Sequence, residues 1–324
     1  MVHKILCLRA AAEWTINMYV VETENLIKKY GNFVAVDGLN LSVQAGDIFG
    51  LLGPNGAGKS TTINMICGLL APTKGNVRLF GKKVSETKRS IGFIPQCLAL
   101  YDNFTAYENL KFFGELYNIR GKQLKNNIDE ALEMTGLVES RNKRAKTFSG
   151  GMLRRLNIAC ALIHKPKALI MDEPAVGIDP QSRNHIMSSI RQMNADGISV
   201  IYTSHYMEEI EALCNKIAII DKGKVIAYGT KKELKNLITD KTMLNVTVSD
   251  TTPLTYEGLM AINGVESAVI DEYSVSVTSA RDADNFNEII EHILNGGVRI
   301  KNVGYQEVSL ETVFLSLTGK KLRD

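Results

Sequence analysis

Proline is scarce, at 7 of 324 residues, and glycine numbers only 26. That excludes a collagen-like chain, and a 45% hydrophobic content excludes a disordered one. Cysteine is sparse too. The five (Cys7, Cys67, Cys97, Cys160 and Cys214) are odd in number, widely spaced and without a C-x-x-C pair. A disulfide-stapled scaffold is therefore excluded. Most of them lie in apolar runs, and all five read as buried reduced thiols in a reducing compartment. A zinc site is the alternative, but the cysteines and the five histidines do not gather into a four-ligand set at zinc spacing. No stretch reaches the roughly 18 uncharged apolar residues of a membrane span. The longest candidates, Ile48–Gly58 and Ser60–Thr73, are short and broken by glycine or polar residues. Residues 1–17 contain Arg9 and Glu13 and lack the apolar core of a signal peptide. They read as a loose extension or an upstream start, with a weak amphipathic anchor as the alternative. Structure is expected to open at Met18, with a strand-like run at Tyr19–Glu22.

Net charge is small, 38 − 35 = +3, but unevenly spread. Residues 1–239 carry 31 basic and 22 acidic side chains (+9), and residues 240–324 carry 7 and 13 (−6). The sign change marks a domain boundary near residue 240. The acidic second part would repel phosphate, which argues against nucleic acid as a partner.

Residues 18–239 read as α/β. Apolar runs at Asp47–Leu52, Ala168–Asp172, Ile198–Thr203, Lys216–Asp221 and Lys224–Tyr228 are bounded by turns, and several do not alternate. Strands of a parallel sheet covered on both faces read that way. A helix is expected from Lys59 to about Leu70, and residues 105–165 read as mostly helical, within a helical subdomain of about 97–165. Beyond residue 240 the rhythm changes to strand (Met243–Val248), helix (Tyr256–Ile262), strands (Ser267–Ile270 and Ser274–Thr278), helix (Ala283–Leu294) and strand (Val298–Val303). A last helix starts after Ser309. The order βαββαβ matches a small α+β ferredoxin-like unit.

Gly53-Pro54-Asn55-Gly56-Ala57-Gly58-Lys59-Ser60 fits G-x-x-x-x-G-K-[ST] between a strand and a helix. Glycines let backbone N–H groups wrap a phosphate, and the helix N-terminus adds positive potential. Lys59 is expected to reach the β- and γ-phosphates and Ser60 to ligate Mg²⁺, with Thr61 next in the cradle. Ninety residues beyond Lys59 stands Phe148-Ser149-Gly150-Gly151-Met152, followed by the apolar strand that ends Asp172-Glu173-Pro174. Asp172 is placed to hold the metal's water shell, and Glu173 to act as general base on an attacking water.

Together these segments resemble the ATP-binding cassette (ABC) ATPases, and the resemblance covers residues 19–238. Phe148–Met152 is similar to the signature sequence, Gln96 to the glutamine-loop residue, Gly177-Ile178-Asp179 to the loop facing the partner subunit, and His205 to the switch histidine. Tyr30 stands 23 residues before Gly53, where the family has an aromatic that stacks on adenine, and Val36 could line the same pocket. The resemblance implies a P-loop NTPase of ABC type: a parallel-sheet core, an antiparallel β subdomain and a helical subdomain. It implies that Ser149, Gly150 and Gly151 complete the site of a second ATP-binding subunit, in a homodimer or a heterodimer. Gln96 would sense metal and water, and His205 would bond the γ-phosphate. ATP and Mg²⁺ are the implied ligands. Three residues depart from the pattern. Met152 for glutamine costs a possible hydrogen bond to the nucleotide, Phe148 for leucine is a packing swap, and Ala175 for threonine has no clear catalytic consequence. Ser149, Gly150 and Gly151 are kept.

Thr203-Ser-His-Tyr-Met-Glu-Glu and Ser309-Leu-Glu-Thr-Val-Phe-Leu are similar to segments of the branch serving exporters of drugs, lipids, polysaccharides or ions. A separate transmembrane permease is then implied, with this chain peripheral on the cytoplasmic face of the cell membrane. The groove for that partner is expected between Gln96 and Phe113. The C-terminal unit would brace the dimer, regulate hydrolysis or bind a ligand. The rivals are a soluble ABC ATPase of cluster assembly or another non-transport process, and a non-hydrolysing partner. Intact Glu173, Gln96 and His205 oppose the latter.

Overall fold

The computed structural model describes residues 19–237, 241–280, 282–306 and 309–318. Residues 1–17, expected to be an extension, lie outside the described residues, as does Cys7. The chain divides into two compact units between Lys231 and Lys232.

The first unit opens with strands β1 (Tyr19–Tyr30) and β2 (Phe33–Gln44), joined by a tight turn at Gly31. Then come β3 (Ile48–Leu52), helix α1 (Lys59–Ile66), β4 (Lys74–Leu79), β5 (Lys82–Lys83), the single turn α2 (Val84–Thr87) and β6 (Ile91–Ile94). Helices α3 (Ala106–Leu116), α4 (Gly121–Met134) and α5 (Gly150–Leu162) follow. The rest is β7 (Ala168–Asp172), α6 (Pro180–Ala195), β8 (Ser199–Ser204), α7 (Met207–Leu213), β9 (Lys216–Asp221) and β10 (Lys224–Thr230); the short α8 (Lys231–Asn236) starts at the division and belongs with the second unit.

Two sheets form here. β2, β1, β4 and β5 pair antiparallel, and β10-β9-β3-β8-β7-β6 form a six-stranded sheet. The larger sheet is parallel except for β10, which runs antiparallel to β9. Every residue of β3, β7 and β8 is buried, which is why these segments read as unbroken apolar runs. One core holds both sheets and α1: Val21, Leu26 and Leu41 meet Phe49, Ile63 and Ile170. α3, α4 and α5 have their own, built on Leu110, Ile128, Leu132, Phe148 and Leu156. Phe148, the variant signature residue, is thus a packing residue. α3 is started by a reciprocal cap: Thr105 Oγ1 accepts from Glu108 N at 3.1 Å while the Glu108 carboxylate accepts from Thr105 N at 2.8 Å.

The register of the parallel sheet decides where chemistry can happen. Leu52 pairs with Ser204 and Asp172 with Thr203, so the chain leaves β3, β7 and β8 at one edge. Ligands of open α/β sheets bind beyond such carboxyl ends.

The second unit contains β11 (Lys241–Val248), α9 (Tyr256–Met260), β12 (Val265–Ile270), β13 (Ser274–Ala280), α10 (Phe286–Asn295), β14 (Ile300–Gln306) and α11 (Leu310–Thr318). Its sheet order is β12-β13-β11-β14 with every pairing antiparallel. β11 and β12 therefore run the same way with β13 inserted between them, a split β-α-β arrangement. Leu244, Val246, Val275 and Val277 pack with Leu259, Ile289 and Ile293 in a third core.

Several local details differ from the sequence reading, among them three that bear on packing. α1 ends at Ile66, because Gly68 takes φ +67° and a side chain there would meet Val84 Cγ1 at 2.7 Å. α10 starts at Phe286, because Asn285 Nδ2 donates to Asn263 O (2.9 Å) and Ser279 Oγ (3.0 Å) and fixes the preceding turn. Cys67, Cys160 and Cys214 are buried, but Cys97 is exposed on the loop after β6. Burial pushes the Cys67 thiol up to about 12 and raises Cys160 and Cys214 too, so these three are inert packing thiols.

Candidate active site

The loop between β3 and α1 is built by backbone needs. Gly58 sits at φ +100°, and a Cβ there would meet Ala35 O at 2.5 Å, so only glycine lets α1 start where it does. Lys59, the first helical residue, is buried, and its Nζ donates to Gly53 O at 2.8 Å and Pro54 O at 3.2 Å. The ammonium also lies 3.1 Å from Glu173 Oε1.

Glu173 follows β7 and is buried, with φ +47°, a left-handed backbone uncommon outside glycine. Its N–H donates to Thr203 Oγ1 at 2.8 Å, and the Thr203 hydroxyl donates to Asp172 Oδ1 at 2.8 Å. One hydroxyl at the end of β8 therefore fixes the Asp172 carboxylate and the Glu173 backbone. Glu173 Oε2 receives Gln96 Nε2 at 3.4 Å and lies 3.3 Å from His205 Nδ1, the latter without hydrogen-bond alignment. Glu173 thus meets a lysine, a glutamine and a histidine from three segments.

A cavity over this cluster is lined by Tyr30, Phe33, Ala35, Asn55, Gly56, Gly58, Lys59, Ser60, Thr61, Gln96 and Glu173. Tyr30 and Phe33 flank the β1–β2 turn and are exposed. Val36 is different: it is fully buried in the core. Side chains alternate along β2, so the face that sends Phe33 and Ala35 to the cavity turns Val36 inward. Among the described residues, no group of three or more His, Cys, Asp or Glu could hold a metal unaided. The donors available are the Ser60 hydroxyl, the Gln96 amide and the Asp172 carboxylate. That oxygen set suits a hard cation carried largely by substrate phosphates and waters.

Ser149, Gly150 and Gly151 do not line the cavity. Ser149 caps α5, its Oγ accepting from Met152 N at 3.3 Å, and both Ser149 and Gly150 are exposed. Gly151 is buried where a side chain would strike Ser182 of α6. Asp179 caps α6 by accepting from Ser182 N at 2.9 Å, and that bond holds its carboxyl below the usual range.

The family description "ABC transporter" matches residues 36–176. The Linearmycin resistance ATP-binding protein LnrL of Bacillus subtilis (strain 168) is 43% identical over 311 residues, which span 94% of this chain and all of that one. The chain belongs to the ABC transporter family. The Nod factor export ATP-binding protein I of Cupriavidus metallidurans is 35% identical over 311 residues, 94% of this chain and 99% of that one. A solved ATP-binding cassette, dimeric and bound to ADP and phosphate after hydrolysis, is 28% identical with a TM-score of 0.59. The match covers 65% of this chain and 98% of that one. This chain is accordingly the ATP-binding, ATP-hydrolysing subunit of an ABC transporter. No helix among the described residues is long and apolar enough to cross a membrane.

Other residues of this ABC ATPase escaped the sequence reading. Phe33 and Ala35 line the cavity, Thr203 holds the Asp172 carboxylate and the Glu173 backbone N–H, and Arg154 of α5 donates to Pro95 O (2.9 Å) and Gln96 O (2.7 Å). The only signal the sequence offered for the last was a charged pair, Arg154-Arg155, at the head of the otherwise largely apolar run Leu153–Leu162.

Proposed function

We propose that two such cassettes close face to face on ATP, each cavity completed by Ser149, Gly150 and Gly151 of the opposite subunit, and that hydrolysis drives export through a separate permease. The observation that carries this reading is the convergence of Lys59, Gln96 and His205 on the Glu173 carboxylate. Lys59 and the N–H groups of the Gly53–Ser60 loop bind the phosphates, and Tyr30 with Phe33 offers aromatic surface to the base. Glu173 takes a proton from water as the water oxygen bonds to the γ-phosphorus and the bond to the leaving ADP oxygen breaks. His205 bonds the γ-phosphate and Gln96 orients the water. Ser60, Gln96 and Asp172 would hold Mg²⁺ directly or through water, and the ion would supply charge neutralisation across the β- and γ-phosphates.

A permease partner finds a groove beside this site. Its walls include Phe93, Pro95, Ala99, Phe113 and Tyr117. Asn157 Nδ2 and His164 Nδ1 are buried there without a hydrogen-bond partner among the described residues. Tyr117 stacks on His164 at 3.9 Å, and burial lowers the His164 pKa, keeping it neutral. The exposed Leu98, Tyr101 and Phe104 stand in the adjoining loop. Such a face suits an amphipathic helix of a membrane subunit, which would hold this chain at the cytoplasmic side of the membrane.

The test is Glu173→Gln. Removing the base is expected to cut ATP turnover by about a hundredfold or more while ATP still binds, leaving an ATP-bound dimer visible by size-exclusion chromatography. Unchanged turnover would sink the mechanism.

A further inference from the structure

The segment that carries His205 is tied to a second buried carboxylate, that of Glu209. Glu209, on α7, is 3% exposed. Its Oε2 accepts from Tyr202 Oη at 2.9 Å and from Ser204 Oγ at 2.8 Å. Ser204 Oγ in turn accepts from Tyr206 N at 2.9 Å. The residues on either side of His205 are thus tied, through one hydroxyl, to one carboxylate. Burial, then the Glu209 charge, pushes the Tyr202 phenol well above its ordinary value, so its O–H stays a donor.

Glu209 Oε1 has a different neighbour. It faces Arg183 Nε at 3.4 Å, as an ion pair without hydrogen-bond alignment, and neither atom has another hydrogen-bond partner among the described residues. The Arg183 guanidinium also lies over the Tyr206 ring, 5.3 Å from its centroid. Arg183 belongs to the first turn of α6, four residues after Asp179, which caps that helix at the end of the Gly177–Asp179 loop. A buried carboxylate with one oxygen on two hydroxyls and the other on an arginine is costly unless both sides stay paired, so the two sides move together.

We propose that Glu209 is a positioning residue for His205, and that Arg183 ties it to the Gly177–Asp179 loop so that displacement of that loop is felt at His205. This rests on the reading of His205 as a phosphate ligand. A free-standing core pair would stabilise the fold without touching turnover at saturating ATP. A positioning network instead lowers kcat and acts only while His205 is present.

The experiment measures ATPase kcat and KM on the full chain for Glu209→Gln, Arg183→Gln, His205→Ala and the two doubles with His205→Ala. Glu209→Gln is expected to lower kcat by about tenfold, with KM for ATP changed less than about twofold. In the His205→Ala background it should change kcat less than about twofold. Arg183→Gln, at a partly exposed position, should follow the same pattern more weakly and serves if the Glu209 variant does not fold. Equal losses in both backgrounds, or a rise in KM alone, would overturn the proposal. An unchanged kcat in the His205→Ala single variant would overturn the His205 reading itself, a result distinct from additivity.

Discussion

A carboxylate on a left-handed backbone needs a hold, since that conformation costs an ordinary residue of order 1 kcal/mol or more. Thr203 is the hold for Glu173, and it is fully buried. Thr203→Val keeps the shape and removes the hydroxyl, leaving a buried N–H and a buried carboxylate oxygen each short of a partner. Each loss costs about 1–3 kcal/mol. The expected outcome is a clear drop in Tm by calorimetry and a fall in kcat of about tenfold or more. A variant with wild-type kcat would show that Glu173 is held by its contacts with Lys59 and Gln96 instead. At this scale the sequence was readable where spacing alone carries the meaning, as in Gly53–Ser60 or Asp172-Glu173. Thr203 was not readable in that role, because its partners are 31 and 30 residues away in the chain. Val36 misled for a smaller reason: which face of β2 meets the cavity depends on the turn at Gly31, and one residue of shift reverses it.

Helix α5 joins two parts of the site by its geometry. Ser149 at its N-cap does not line this chain's cavity, and Arg154, further along the same helix, grips the carbonyls of Pro95 and Gln96. Any tilt of α5 that moves Ser149 also pulls the backbone that carries Gln96. Arg154→Met keeps the buried stem and removes both donated bonds. Turnover is expected to fall several-fold with nucleotide affinity nearly unchanged, and adding Gln96→Ala should cost little more. Equal further loss would mean that Gln96 works without Arg154.

The cap of α6 makes an acid-sensitive element. The Ser182 N–H holds the Asp179 carboxyl low, so its contribution to stability is present above the ordinary carboxylate range and is lost as pH falls through the lowered folded value. Tm should therefore drop more for the wild type than for Asp179→Asn between neutral pH and about pH 3. Element ends were the hardest feature to read in advance. β7 and β9 follow their apolar runs end to end, but the end of α1 and the start of α10 are set by Val84, Asn263 and Ser279, which no local pattern reveals.

At the scale of the whole molecule, the proposed pairing gives one chain the halves of two sites. The cavity uses Lys59, Gln96 and Glu173, while Ser149 and Gly150 stand exposed elsewhere on the same unit. A two-fold pair would give each cavity one chain's lysine and the other chain's serine, since a two-fold axis places the same patch on both partners. That arrangement can be tested without a partner structure. Lys59→Ala destroys the cradle of its own chain, and Ser149→Arg blocks only the cavity opposite. Either variant alone should be inactive. When equal amounts are mixed and allowed to exchange, half of the pairs hold one of each, and in those pairs one cavity of the two is intact. Independent sites should then recover about a quarter of wild-type turnover, and strongly coupled sites less. Recovery above the background of either variant would establish two copies of this chain as the working pair. Its absence, with wild-type protein active under the same conditions, would mean that each chain uses its own serine or that the second ATP-binding subunit is a different protein. A double variant carrying both changes on one chain, mixed with wild type, checks independently whether two copies of this chain pair. If each chain works alone, activity falls in proportion to dilution. If the chains pair, mixed pairs contain no intact cavity, and activity falls with the square of the wild-type fraction.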